Sequence, residues 1–141
     1  MKWSIREARP GDMIRVRIGS IYHYGVFASE QEVIQFGLPP SLRQGVPEDQ
    51  VEVLATDINT FRCGAFPEAA DLSFSERRHR RPPAEAVETA RSRIGEKGYH
   101  LLYNNCEHFA WECVMGKKYS SQVEDVRAAV RKIKEERQDN E

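Results

Sequence analysis

No stretch of this chain comes near the roughly 18 consecutive apolar residues that a membrane-spanning helix needs. The opening, MKWSIREARPGDM, has no apolar centre of the kind a secretory signal carries. Both absences lead to the expectation of a cytoplasmic protein with at most peripheral membrane contact. Cysteine is scarce and odd in number, three in all, which excludes a disulfide framework and fits a reducing compartment. Neither sign of charge dominates: 21 Lys and Arg stand against 22 Asp and Glu, which removes any global reason to expect nucleic acid or an anionic membrane as a partner. Internal repeats and low-complexity runs are absent too. What is left is 141 residues of ordinary globular composition, enough for one core. The expectation is a single domain over residues 1–134 and a charged, frayed tail over 135–141.

The first third has strand character. Pro10-Gly11-Asp12 is turn chemistry, and Ile14, Val16 and Ile18 then alternate with Arg15 and Arg17 at the period of a half-buried strand. Further runs follow from Ile21 to Ala28, Glu32 to Phe36 and Val51 to Leu54, with Pro39-Pro40 ending the third. Between Thr56 and Arg81 periodicity is poor; a short strand near Phe61 to Phe66 fits, followed by the basic cluster Arg77 to Arg81. That cluster is open to two readings, a solvated loop or a site for anionic groups. Pro82-Pro83 opens a helix with Val87, Ala90 and Ile94 on one stripe, and Gly95 and Gly98 close it. A second helix runs from about Asn105 to Gly116. A third carries Val123, Val126, Val130 and Ile133 as a narrow stripe expected to pack on the domain. The fold class is α+β, an antiparallel sheet packed against helices.

In Tyr103-Asn104-Asn105-Cys106-Glu107-His108-Phe109-Ala110, a cysteine follows two good N-cap residues. A thiol in the first turn of a helix faces unpaired N–H groups and the positive end of the macrodipole, so it is expected to titrate below an ordinary cysteine. The same N–H groups can receive an oxyanion. Helical spacing puts Cys106, Phe109, Ala110, Cys113 and Val114 on one core-facing stripe, so Cys113 reads as a small buried hydrophobe, and Cys63 sits in irregular chain. A buried, unreactive cysteine starting a helix would look the same. A nucleophile needs a base.

Of the four histidines, His79 lies in an arginine run and His100 sits just before Leu101-Leu102-Tyr103. His108 diverges from Cys106 on the helix and suits a bond to nearby backbone or a place on a solvent-facing rim. His23 remains, on a strand beside Gly25. A hairpin centred on Ser29 would set His23 directly opposite Gln35, with Cβ atoms roughly 5 Å apart. The amide oxygen of Gln35 could then hold the imidazole in one tautomer, the role a third residue plays in catalytic triads. A polar cross-strand pair on a solvated face is the equal alternative, since a one-residue slip separates the two. The C-x-H spacing of Cys106 and His108, with a cysteine five residues on, does not match structural zinc sites. No metal or cofactor is implied.

Together these residues resemble the lecithin:retinol acyltransferase-like family, within the broader NlpC/P60 group of papain-like cysteine enzymes. The match is carried by Arg9-Pro10-Gly11-Asp12, His23-Tyr24-Gly25-Val26-Phe27, Asn105-Cys106-Glu107-His108-Phe109 and Ser121-Gln122-Val123. The resemblance implies a circularly permuted papain-like fold and a thioester on Cys106, with His23 as base. The acyl group would come from an ester donor such as a phospholipid and pass to an alcohol, an amine or water. At the third position the family usually has histidine, where this chain has Gln35. Two further readings stand beside acyl transfer: a cysteine peptidase or amidase using the same groups, and an inactive binding module, which the glutamine favours.

Overall fold

A computed structural model describes residues 1–102 and 104–139, and the backbone alone at Gln122 and Asp139; Tyr103, the first residue of the cysteine motif, and the last two residues of the tail lie outside the described residues. Six antiparallel strands form one sheet: β1 (Lys2–Ser4), β2 (Met13–Ile18), β3 (Ile21–Ser29), β4 (Glu32–Phe36), β5 (Val53–Thr56) and β6 (Glu68–Asp71), in the order β1-β6-β2-β3-β4-β5. The helices are α1 (Ile58–Arg62), α2 (Phe74–His79), α3 (Pro83–Ser92), α4 (Cys106–Met115) and α5 (Ser121–Asp139). The α+β class read from the sequence is therefore the observed one.

Strand alternation divides the sheet into two faces. Tyr24, Val26, Ile34 and Phe36 join Phe109, Ala110, Cys113 and Val114 of α4 and Ala86 and Ala90 of α3 in the larger core. On the other face Ile14, Val16, Phe27, Val33 and Ala69 close over Phe61 of α1. Each large apolar side chain fully withdrawn from water contributes roughly 1.5–3 kcal/mol, so the larger cluster is what clamps α4 to the sheet.

Four departures from the sequence-based reading concern the helices. Residues 58–62 form a helix rather than part of a strand, because Asp57 caps it through Thr60 N–H at 2.7 Å. Cys63, in the left-handed region at φ 49°, ends that helix, and the strand begins only at Glu68. The basic cluster is largely a helix, started by a reciprocal capping box between Ser73 and Glu76. Its last two arginines brace the fold: Arg80 donates to Gly11 O at 2.8 Å, and Arg81 donates to Glu112 O and, through its backbone, to Val114 O. Ile94 falls beyond the end of α3 and is exposed.

The fourth departure is the α5 stripe. Val123 is buried, but Val126, Val130 and Ile133 are 53%, 44% and 53% exposed, so the stripe does not pack on the domain. The helix also continues to Asp139, into the stretch read as tail. Among the described residues, no helix is long and apolar enough to cross a membrane.

Candidate active site

Cys106 is the first residue of α4, and its neighbour Asn105 supplies the cap. The Asn105 Oδ1 accepts from the backbone N–H groups of Glu107 and His108, each at 3.0 Å, while Asn105 N–H donates to His108 Nδ1 at 3.0 Å. His108 is thus a capping residue, in line with the backbone role expected of it. Glu107, buried beside the cysteine, accepts from Ser120 and Ser121 hydroxyls at 2.9 Å, which ties the start of α5 to the start of α4.

His23 and Gln35 do meet. The ring Nε2 lies 2.9 Å from Gln35 Oε1, and both side chains are buried. The register, however, is not the one counted from the sequence. A bulge between Phe27 and Ser29 shifts the β3–β4 pairing to Val26↔Ile34 and Phe27↔Val33. Extended, this puts Gln35 level with Gly25, and His23 reaches it diagonally across the glycine. The slip is even, so both residues stay on one face. Space at Gly25 is tight: a Cβ would stand 2.8 Å from Phe61 Cε2 and 3.2 Å from Ile34 O. Phe61 also stacks near the imidazole, with ring centroids 5.2 Å apart.

The hydrogen-bond chain assigns the tautomer. Gln35 Nε2 donates to Val33 O at 3.2 Å and to Thr56 Oγ1 at 2.9 Å, while the Thr56 hydroxyl gives its proton to Asp57 O. A carbonyl can only accept, so the amide orientation is fixed and Oε1 must face His23. His23 Nε2 therefore carries the proton in the neutral ring. Nδ1 is left as the basic nitrogen, buried and without a hydrogen-bond partner.

Cys106 approaches from the α4 face, where the sheet opens. Toward the His23 end, the β3–β4 pairing reaches only Val26↔Ile34. Phe27 donates its N–H to Asp12 on the β2 side, so by the two-residue repeat Tyr24 N–H points toward β4. That N–H is near enough to the Cys106 sulfur to favour its charged form. The thiol is thus close to Tyr24, the residue after His23 on the strand, though no hydrogen bond links it to His23 Nδ1.

Burial governs the charges. Desolvation pushes His23 down to about 4, with the Gln35 bond opposing and the positive Arg43 adding to the fall. Desolvation also pushes the Cys106 thiol up, against the N–H groups of Tyr24 and Glu107 and the field of Arg43, which pull it down. The low-pKa cysteine expected from the helix start is therefore corrected. Burial of the sulfur outweighs the helix terminus, and the resting pair is neutral thiol and neutral imidazole.

Two residues that sequence reasoning passed over complete the site. Arg43 follows a 3-10 turn at Pro40–Leu42, donates from Nη2 to Tyr99 Oη at 3.1 Å and lies over the Tyr99 ring. It fits because Gly37 has φ +86° and no side chain; a Cβ there would come within 2.7 Å of Arg43 Nη1. Both residues line a cavity of about 210 Å³ with Cys106, and the rest of its wall is mainly Ile21, Leu101, Leu102, Val123 and Val126. An arginine in a Gly- and Pro-rich loop and a tyrosine between glycine and histidine carried no sequence signal for this placement. Cys113 lies in the core, and Cys63 sits far along the chain near Ser41.

A buried cysteine at a helix start thus packs against an antiparallel sheet that carries an oriented histidine. The model of the family described as lecithin retinol acyltransferase matches residues 6–119, and the chain belongs to that family. The chain is also similar to the human protein phospholipase A and acyltransferase 4, with 26% identity over 133 residues, covering 89% of this chain and 80% of the relative.

Proposed function

We propose that this protein is a thiol acyltransferase or acyl hydrolase that takes an acyl group from a phospholipid or similar ester through a thioester on Cys106. The observation that carries the reading is the apolar cavity that the buried Cys106 lines, in a chain whose adjoining strand β3 holds an oriented His23–Gln35 pair. An aliphatic wall suits an acyl chain better than a peptide, whose backbone would need polar partners. The family membership and the name of the human relative support the same chemistry. The permuted papain-like relationship accords with a histidine strand that precedes the cysteine helix in the chain.

In this reading His23 Nδ1 takes the thiol proton as the sulfur attacks the ester carbonyl, since neither group is charged at rest. The cap uses the N–H groups of Glu107 and His108, which leaves the N–H of Cys106 for the oxyanion. Tyr99, whose hydroxyl accepts from Arg43, keeps its own proton to donate at the cavity wall. Collapse breaks the C–O bond, and the imidazolium returns its proton to the leaving oxygen. An alcohol, amine or water then gives His23 a proton as it attacks the thioester, and the thiol is regenerated. Gln35 is a positioning residue: its amide holds the tautomer that a histidine would hold at that place in other members.

The test is turnover of a dispersed phospholipid against a fatty amide of matched chain. The proposal expects lyso-lipid and free or transferred acyl product, both lost in Cys106→Ser and His23→Ala. Cleavage of the amide alone would assign the site to the amidase reading. No turnover of either, with the fold intact, would leave the binding-module reading standing.

A further inference from the structure

The family model matches residues 6–119, and most of α5 lies beyond the segments that carry the resemblance. Yet α5 adjoins the site. Leu102, Val123 and Val126 line the Cys106 cavity and also a second, open groove of about 440 Å³ that continues along Val130 between Arg127, Arg131 and Lys134. Around this mouth stand Leu101 at 64%, Leu102 at 41% and Ile21 at 43% exposure, with Val126, Val130 and Ile133 beyond them. A contiguous apolar rim of this kind is uncommon on a surface that meets only water.

Charge on α5 is sorted by face. At about 100° per residue, Lys134, Arg127 and Arg131 follow one another along the edge of the stripe that borders the groove. Asp125 and Glu136 lie away from that edge, while Glu124 pairs with Arg127 at 3.3 Å and, with Glu135, stands on the far side of the basic row from the stripe. A basic edge beside an exposed apolar stripe is the pattern of a helix lying in the plane of a lipid interface, with cations on the phosphates and apolar side chains among the upper acyl carbons.

We infer that the α5 stripe, with Leu101, Leu102 and Ile21, is a docking face for an anionic lipid surface, and that it brings the mouth of the Cys106 cavity against the bilayer. Charge complementarity selects an anionic surface, and continuity with the cavity gives the face its orientation. An acyl chain then passes from bilayer to cavity along Val130 and Val126 without crossing water. The direction of entry rests on the acyl-transfer reading; the docking itself does not.

The experiment is co-sedimentation of the full chain with vesicles of phosphatidylcholine alone, or with about 30% phosphatidylserine, at two salt concentrations. Binding is expected to the anionic vesicles and to weaken as salt rises. Val130→Asp with Ile133→Asp should reduce it by about tenfold or more, and Arg127→Glu with Arg131→Glu should abolish the anionic preference. Circular dichroism and the alkylation rate of Cys106 report whether each variant is folded. Vesicle binding needs no turnover, so an inactive but vesicle-bound protein would refute the acyl-transfer reading and leave the docking face in place. Absence of wild-type binding would overturn the inference, as would equal binding by the Asp variant. A stable dimer in solution dispersed by the Asp variant would also overturn it, assigning the stripe to a second copy of the chain.

Discussion

At the scale of single residues, the site depends on which nitrogen of His23 is free. Gln35 decides this through its own bonds to Val33 and Thr56 rather than by charge. Replacing Gln35 with Ala leaves Nε2–H without its acceptor and the ring free to turn, so kcat should fall on the order of 10²-fold. Gln35→Glu keeps the acceptor but adds a negative charge, which raises the His23 pKa. In the wild type the acid limb of kcat/KM should lie near 4, since His23 stays unprotonated down to about that pH. In Gln35→Glu the limb should move upward, and an unmoved limb would show that His23 is not the titrating base. Cys106 offers a second reading of the same environment. Because burial pushes its thiol up, iodoacetamide should label Cys63 faster than Cys106 near neutral pH, as followed by peptide mapping. Cys106 and His23 stood out as candidates because the Asn-Cys start and the strand histidine are local patterns, and the His23–Gln35 bond was foreseen from a hairpin count whose register was off by two. Arg43 and Tyr99 did not stand out, because only the folded chain brings a loop and a pre-helix turn to one cavity.

At the scale of elements, two junctions hold the site. The α4 cap places Cys106, and Asn105→Ala should cost about 2 kcal/mol in chemical denaturation. That is the upper end for a cap, because it strands two buried N–H groups at once. The β3–β4 hairpin places His23. Gly25→Val should unfold or loosen this end of the sheet, since its side chain would meet Phe61 and the Ile34 carbonyl. The expected result is a lower denaturation midpoint together with loss of activity. The hairpin was legible in the sequence, and its register was off by two residues. A bulge leaves no mark on hydrophobic alternation, yet an even slip keeps the paired faces, so His23 and Gln35 still met. The α1 helix escaped notice for a different reason: five residues are too few for helical periodicity to emerge, and only the Asp57 cap betrays it.

At the scale of the whole molecule, one sheet carries His23 on one face and packs the start of α4, with Cys106, on the other. Burying a neutral histidine there has a consequence for stability. The unfolded state binds a proton near the ordinary value of 6.5, but the folded state does so only near 4. Stability is therefore complete above 6.5 and falls as pH drops through 4, by about 3 kcal/mol. His23→Gln should flatten this part of the stability curve in urea titrations across that range. The same global view separates what the sequence could and could not convey about α5. Its stripe was plain from spacing, but whether a stripe is covered depends on the rest of the chain, and here nothing among the described residues covers Val126, Val130 and Ile133.

The central claim is a thioester on Cys106. It is tested most directly by acid-quenching the protein during turnover of a short-chain phospholipid, then measuring intact mass and mapping the modified peptide. The account predicts a single acyl adduct on the peptide containing Cys106, released by hydroxylamine, and neither adduct nor turnover in Cys106→Ala. Turnover that persists in Cys106→Ala, or an acyl adduct on any other residue, would contradict it.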